Sequence, residues 1–322
     1  MSRALVARAP TRLDFGGGWT DVAPYCDEQG GAVCNVAVTR YATATVATSD
    51  EPPPLPDDPL TRAALRRSGL ANATAAVVCD FPIAAGLGGS SAVGVALAGA
   101  LAALRGEALE PGALAERSRS TEVEDLGIAG GFQDHYAAAF GGALLLTYEG
   151  CVGVELLAVS DATCEALVRR GILLYTGVSR ISAGTITAVA DAYRAGDPVV
   201  CAALARMKTL AIEMAASLRA GDVDTLGEQL AEHWVHQRAL HPTITTERID
   251  AIGRAAARAG ALGMKALGAS AGGCVVVIAR DGYEDEVAAA IAPLGERLPF
   301  DVDRSGFQIV AAMGEHTRAA DA

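Results

Sequence analysis

Residues 82–91 of this 322-residue chain read Pro-Ile-Ala-Ala-Gly-Leu-Gly-Gly-Ser-Ser, and an apolar run from Ala92 to Leu104 follows, ended by Arg105. No other stretch limits the fold so much. Three glycines within four residues (Gly86, Gly88 and Gly89) let the backbone turn sharply and approach a partner closely. The 13-residue run behind them is too short to span a bilayer and reads as a buried helix. Ahead of them, Ala75–Asp80 is a strand candidate that leads in through Phe81-Pro82. Strand, glycine turn and buried helix therefore form one junction, with the helix aiming free N–H groups and a positive dipole end at the turn. Pro82, Gly86, Leu87, Gly88, Gly89, Ser90 and Ser91 would surround a nucleotide phosphate there, and the serines add oxygens for a magnesium ion. On these residues alone, a serine-capped glycine turn without a ligand is equally consistent. No G-x-x-x-x-G-K-[ST] segment occurs, so a P-loop NTPase is excluded.

Charge narrows the partners. The formal net charge is -12, which repels nucleic acid. Only Lys208 and Lys265 are lysines, so arginine, backbone N–H groups or a metal must hold any substrate phosphate. The seven cysteines include no C-x-x-C pair and read as small buried side chains in a reducing compartment. Residues 1–10 lack the apolar core of a signal peptide, and no run is long enough for a membrane span, so a cytoplasmic protein without membrane contact is expected. Homo-oligomerisation is left open.

Leu5–Ala7, Val33–Val38, Tyr41–Thr48, Gly141–Tyr148, Gly171–Thr176 and Val275–Ala279 read as further strands. Leu114–Asp125, Ala203–Arg219, Thr225–Leu240 and Ile249–Ala259 read as helices, and the proline-rich Glu51–Pro59 as a surface loop. Helices and strands mix without a βαβ repeat, which predicts an α+β fold. The length predicts two domains, placed at 1–160 and 161–322.

Pro82-x-x-x-Gly86-Leu87-Gly88-x-Ser90-Ser91-Ala92 resembles the phosphate loop of the GHMP kinases. Two more segments fall in that family's order. Arg8-Ala9-Pro10-Thr11-Arg12 with Gly16-Gly17-Gly18-Trp19-Thr20-Asp21 resembles the N-terminal substrate motif. Residues 267–274 resemble the C-terminal glycine motif, with Ser270 and Ala271 where glycines are expected. Within the family the chain is most similar to bacterial D-glycero-D-manno-heptose phosphate kinases. The segments that carry this are Gly130-Gly131-Phe132-Gln133-Asp134-His135-Tyr136, Thr176-Gly177-Val178-Ser179-Arg180-Ile181-Ser182, His233-Trp234, Ile249-Asp250 and Gly260-Ala261-Leu262-Gly263-Met264-Lys265, with Arg238 where lysine is expected.

The resemblance implies a two-lobed fold, with an N-terminal ATP and substrate lobe and a C-terminal ferredoxin-like lobe. It implies ATP and Mg²⁺, and a sugar or sugar-phosphate substrate. Asp134 becomes the candidate base for the attacking hydroxyl, and Arg12 the cation beside it. Ser90 and Glu122 become magnesium ligands. Gly17, Gly18, Thr20, Asp21, Gly131, Gln133 and Arg180 become substrate residues. Asp21 could instead cap a helix starting near Val22. His135 is a weaker substrate candidate, and Arg180 or Arg238 would grip a sugar phosphate. His233, His236 and His241 lack the partners of a zinc site, and Trp234 points to packing there. The expected reaction is phosphorylation of O-1 of a heptose 7-phosphate, with a free-sugar kinase for fucose or galactose as the alternative. A diphosphomevalonate-type decarboxylase is disfavoured by the Gly-Gly-x-Gln-Asp-x-Tyr segment. A catalytically silent sugar sensor is disfavoured because Arg12, Ser90, Glu122 and Asp134 are all present.

Overall fold

The computed structural model describes residues 4–51, 53–178, 183–269 and 271–313. Its first part runs β1 (Ala4–Gly16), α1 (Tyr25–Gln29), β2 (Gly31–Thr48), α2 (Pro59–Ser68), β3 (Ala73–Cys79) and α3 (Gly89–Leu104). There follow α4 (Pro111–Ser120), a π-turn at Thr121–Asp125, α5 (Gln133–Phe140), β4 (Ala143–Tyr148) and β5 (Val152–Leu156). The second part runs α6 (Asp161–Arg170), β6 (Gly171–Tyr175), α7 (Ala183–Arg194), α8 (Pro198–Ala220), α9 (Val223–Ala239) and α10 (Glu247–Arg258). It ends with β7 (Ala261–Ala266), β8 (Cys274–Ala279), α11 (Glu284–Ile291), β9 (Glu296–Arg297) and β10 (Gln308–Met313).

Two antiparallel sheets result, ordered β10-β1-β2-β4-β5 with β3 on β2, and β7-β8-β6-β9. The mixed α+β architecture is the expected one. Sequence periodicity predicted only fragments of the two longest strands. β1 alternates buried and half-buried residues over Ala4–Arg8 and is then buried without interruption from Ala9 to Gly16. β2 does the reverse, buried throughout Gly31–Val38 and mixed beyond. The two buried halves pair, Thr11 with Val38 and Asp14 with Asn35. There α3 and α8 both pack on the strands, so neither face alternates with solvent and the period-2 signal disappears. α3 itself is buried on nearly every side, as its continuous apolar run predicted.

The chain end alters the expected partition at 160/161. After β9 it crosses back to the first sheet, where Thr39 N–H donates to Asp301 O at 2.9 Å and Tyr41 Oη to Asp303 Oδ2 at 2.7 Å. β10 then pairs with β1, so residues 161–322 do not form one separate lobe. A two-residue pairing at β9 and the mixed polarity of residues 299–307 left nothing periodic to read. Pro59 begins a helix instead of ending a loop, because Asp58 caps it through Thr61 N–H.

In the second part α8 and α9 form an antiparallel pair joined at Gly221-Asp222, and α9 lies across β7. Contact is close enough that a Cβ on Gly263 would collide with the Gly227 carbonyl oxygen and sit 2.7 Å from Ala231 N. Gly263→Ala is therefore expected to cost about 1–3 kcal/mol by overpacking, read as a lower midpoint in denaturant. An unchanged midpoint would contradict this packing.

Candidate active site

Arg12 lies in the buried half of β1 with 3% of its side chain exposed. Nη2 pairs with Asp134 Oδ1 at 2.6 Å, and Nη1 donates to Gly86 O at 2.7 Å. Its backbone N–H donates to Leu87 O at 3.1 Å. One residue thus ties the central strand to the glycine turn and to α5.

Asp134 stands in the first turn of α5 and is 28% exposed. Gly88 faces it across the turn in the left-handed region, with φ of 73°. A Cβ on Gly88 would lie 3.0 Å from Asp134 Cγ, so conformation and space both require glycine there. Gly88 also precedes the first residue of α3, and the N–H groups of Gly89, Ser90 and Ser91 open that helix. The carboxylate–guanidinium pair and the N-terminus of α3, whose free N–H groups suit an anion, consequently share one wall.

Ser90 is exposed while Ser91 is buried. Ser91 Oγ lies 3.4 Å from Glu122 Oε2 and 3.3 Å from His135 Nε2. Sequence periodicity carried a helix through Asp125, but α4 stops at Ser120 and Glu122 sits on the π-turn. Such turns widen the helix and re-aim side chains, often at functional sites. Burial acts to raise the Glu122 pKa. Hydrogen bonding and charge from His135, with bonds from Ser90 and Ser91, outweigh it and hold the carboxyl below its ordinary value. His135 is 2% exposed and bridges Ser118 Oγ (3.0 Å) to Glu122 (3.1 Å). That position removes it as a substrate contact and makes it a support for Glu122.

Gly16–Asp21 fold over the end of β1. Gly17 has φ of 83°, and a Cβ there would collide with Ala32 O. Gly18 lies against the Asp14 carboxylate and 3.2 Å, measured from an ideal Cβ, from Gln133 Nε2. Thr20 differs from expectation. It is fully buried, and Oγ1 donates to Gly17 O at 2.7 Å and stands 3.0 Å from Ala32 O, so its hydroxyl shapes the loop and is not presented to a substrate. Asp21 caps a different helix from the one expected: Oδ2 accepts from Phe132 N–H at 2.9 Å and Gln133 N–H at 3.2 Å, at the start of α5. The carboxylate that fixes Asp134's helix is thus in the glycine loop, with Gly131 packed directly against it. Burial, then the Asp134 and Asp14 charges, raise the Asp21 pKa to about 6 against the pull of those two N–H bonds.

The third glycine segment joins the first. Gly268 approaches Gly86, and Cys274 N–H donates to Ala85 O at 2.7 Å. Arg180 and Ser270 lie outside the described residues. Arg238 pairs with Asp250 at 3.3 Å and sits 5.9 Å from the Trp234 ring centroid. The three histidines diverge: His233 accepts from Gly17 N–H at 2.9 Å, His236 faces Glu232, and His241 caps Thr243. Among the described residues no three His, Cys, Asp or Glu side chains gather to hold a metal, and no helix is long and apolar enough to cross a membrane.

Asp14 went unmarked in the sequence and Lys265 had no role assigned beyond its place in the resemblance; their Oδ2 and Nζ meet at 2.9 Å, with 2% and 0% of the side chains exposed. Asp14 is two residues beyond Arg12 and so on the same strand face, a signal that was available. Asp14 Oδ1, Gln133 Oε1 and both amide atoms of Asn35 are buried without a protein partner, which gives this cleft a polar floor.

A carboxyl with a raised folded pKa takes up a proton on folding. Its stabilising contribution is full below about 3.8 and is lost as pH rises through about 6. Ionised Asp21 therefore costs stability at pH 8, on the order of 3 kcal/mol. Asp21→Asn keeps an acceptor for the two N–H groups without the charge. The Tm of Asp21→Asn relative to wild type should rise from pH 5 to pH 8. A pH-independent difference would refute the burial of a charge at this position.

Two family models match the chain: GHMP kinases N terminal domain over residues 60–142 and GHMP kinases C terminal over residues 214–296, together just over half of it. The first span holds the glycine turn, Glu122 and Asp134; the second holds His233 and Lys265. D-glycero-alpha-D-manno-heptose 7-phosphate kinase of Campylobacter jejuni is 27% identical over 300 residues, 84% of this chain and 88% of that one. L-fucokinase/L-fucose-1-P guanylyltransferase of Bacteroides fragilis is 26% identical over 336 residues, 85% of this chain but 34% of that protein. The fold matches a D-glycero-D-manno-heptose 1-phosphate kinase from Bacteroides thetaiotaomicron with a TM-score of 0.77 at 24% identity, over 98% of this chain and 100% of the other. Family models over both halves, and an arginine–carboxylate pair set against a glycine turn, place this chain in the GHMP kinase family.

Proposed function

We propose that the protein transfers the γ-phosphoryl group of ATP to a sugar hydroxyl, and that the acceptor is O-1 of D-glycero-D-manno-heptose 7-phosphate. The observation that carries this reading is the Arg12–Asp134 pair at 2.6 Å, set beside the first turn of α3. Phosphoryl transfer needs positioning and charge neutralisation more than covalent participation. Asp134 accepts the proton of the attacking hydroxyl as the new P–O bond forms. Arg12 offsets the charge that spreads over the transferred group. The Gly86–Ser91 segment and the N–H groups opening α3 hold the nucleotide phosphates.

The residues present fit a magnesium ion shared with the nucleotide. Ser90 is exposed, and Glu122 is oriented by His135 and Ser91 and held ionised. Two protein oxygens are few, but magnesium keeps several waters and takes phosphate oxygens for the rest. Ser90 and Glu122 would hold the ion, which would supply positive charge against that of the phosphates.

Asp21, Gly17, Gly18, Gly131 and Gln133 are the acceptor side of the site in this reading. The heptose 7-phosphate assignment is supported by the similarity to the Campylobacter jejuni kinase. A phosphorylated acceptor requires a local cation in a chain of net charge -12. Arg180 is the candidate by resemblance; Arg238 is already paired with Asp250. A free-sugar kinase for fucose or galactose is the second reading, favoured by the fucokinase similarity.

Asp134→Asn should lower kcat by about two to four orders of magnitude with little change in ATP affinity. Near-normal turnover would remove Asp134 from the base role. Wild type should show a higher kcat/KM for the heptose 7-phosphate than for free heptose, and Arg180→Ala should erase most of that preference while sparing the free sugar. Equal rates on the two substrates would favour the free-sugar kinase.

A further inference from the structure

The loop that carries the acceptor-side residues is gripped from the second sheet by two buried side chains with no role in the chemistry above. His233, on α9, is 0% exposed and accepts from Gly17 N–H through Nε2 at 2.9 Å. Lys265, on β7, is 0% exposed and pairs at 2.9 Å with Asp14, whose carboxylate lies against Gly18. Gly16 and Gly17 rest on Met214 and Ala211 of α8. The grip is polar at two points and apolar between them. Because α9 and β7 touch backbone to backbone at Gly227 and Gly263, the two polar points belong to one packed unit.

The two contacts support each other chemically. Gly17 N–H is a donor, so His233 Nε2 must carry a lone pair and no proton. Burial, and then the Lys265 ammonium, push the His233 pKa well below its ordinary value, which secures that state. Lys265 in turn needs a compensating charge, because burial acts to lower its pKa and Asp14 opposes this. A lysine buried solely to fill space would be poorly chosen, since an apolar residue would pack without desolvation. Only one other lysine occurs in the sequence.

We infer that His233 and Lys265 are positioning residues for the acceptor, a two-point clamp by which the second sheet's unit sets the geometry of Gly17 and Gly18. Gly18 borders Gln133, and the same loop ends in Asp21, which caps the helix of Asp134, so an error at the clamp reaches the acceptor site first. Among the described hydrogen bonds and ion pairs, those of His233 and Lys265 go to Gly17 and Asp14, whereas the Gly86–Ser91 turn is held by Arg12 and packed on Gly268, with Cys274 bonded to Ala85 just before it. The functional part of the inference rests on the assignment of Gly17, Gly18 and Asp21 to the acceptor side.

The test compares wild type with His233→Phe, His233→Gln and the double variant Asp14→Asn/Lys265→Met. The double variant removes both charges together, so that neither is left buried alone. His233→Phe removes the acceptor for Gly17 N–H, and His233→Gln can restore one. Hydrogen exchange, which needs no substrate, should show residues 16–21 exchanging about tenfold faster in His233→Phe and in the double variant. Residues 84–91 should be unchanged, and His233→Gln should lie near wild type. With the sugar that wild type phosphorylates, the acceptor KM should rise about tenfold in the same two variants while the ATP KM stays within about twofold. Equal acceleration of both segments, or of neither, would overturn the clamp. Faster exchange at 16–21 with both KM values unchanged, or raised together, would overturn its positioning role. Absence of kinase activity in wild type would instead defeat the proposed function, and the exchange result would still decide the clamp.

Discussion

A guanidinium ion shut away from water must be held by acceptors the fold supplies, and in this protein Arg12 is held where the site is built. Its carboxylate partner comes from α5, its carbonyl partner from the glycine turn, and its own backbone N–H bonds the next carbonyl of that turn. Removing the Asp134 carboxylate would leave the buried Arg12 guanidinium short of a counter-charge, which is destabilising. Strand, turn and helix are therefore fixed relative to one another by the same group that the chemistry uses. The close approach of Gly88 to Asp134 follows from it, as does the exposure of Ser90 beside a carboxylate held by His135.

The charges continue past Arg12. Asp14 lies two residues on along β1, Lys265 meets it from β7, and Asp21 feels both Asp14 and Asp134. Negative and positive groups alternate through a region with little solvent, and several polar atoms there lack protein partners. A core optimised for stability would replace these groups with apolar ones. Sites retained at such a cost are where stability and activity trade against each other. The location follows the sheet: β1 and β2 are covered by α3 and α8 where Arg12, Asp14 and Asn35 are buried.

Much of this was readable in the sequence where the signal is local. The turn at Gly86–Gly89, the buried helix behind it and the order of the glycine segments depend on residue types within a few positions of one another. Arg12, Asp134 and the serines followed by resemblance. Elements that depend on distant contacts were not readable. β1 lost its alternation because α8, some 200 residues later, covers its second face. Thr20 looks like a ligand residue in sequence, but its hydroxyl serves carbonyls of Gly17 and Ala32. Asp21 was weighed as a cap for its own neighbour and caps a helix 111 residues away. Glu122 has helical spacing on both sides, so nothing local marks the π-turn. Lys265 stands between Met264 and Ala266 in a strand; its rarity in the composition and its place in the Gly260–Lys265 segment of the resemblance marked it, but neither pointed to Asp14 as its partner.

Direct phosphoryl transfer to a sugar is the central claim, and ³¹P NMR tests it most directly. The protein would be incubated with ATP, magnesium and, in separate tubes, a heptose 7-phosphate, the free heptose, fucose and galactose. Asp134 beside the N-terminus of α3 predicts a new phosphate monoester resonance, coupled to the anomeric proton, with one ADP formed per ester and the ester appearing at least about a hundredfold more slowly in Asp134→Asn. ATP hydrolysed to inorganic phosphate in every tube, or ATP bound and left intact, with no phosphate ester on any sugar, would contradict it.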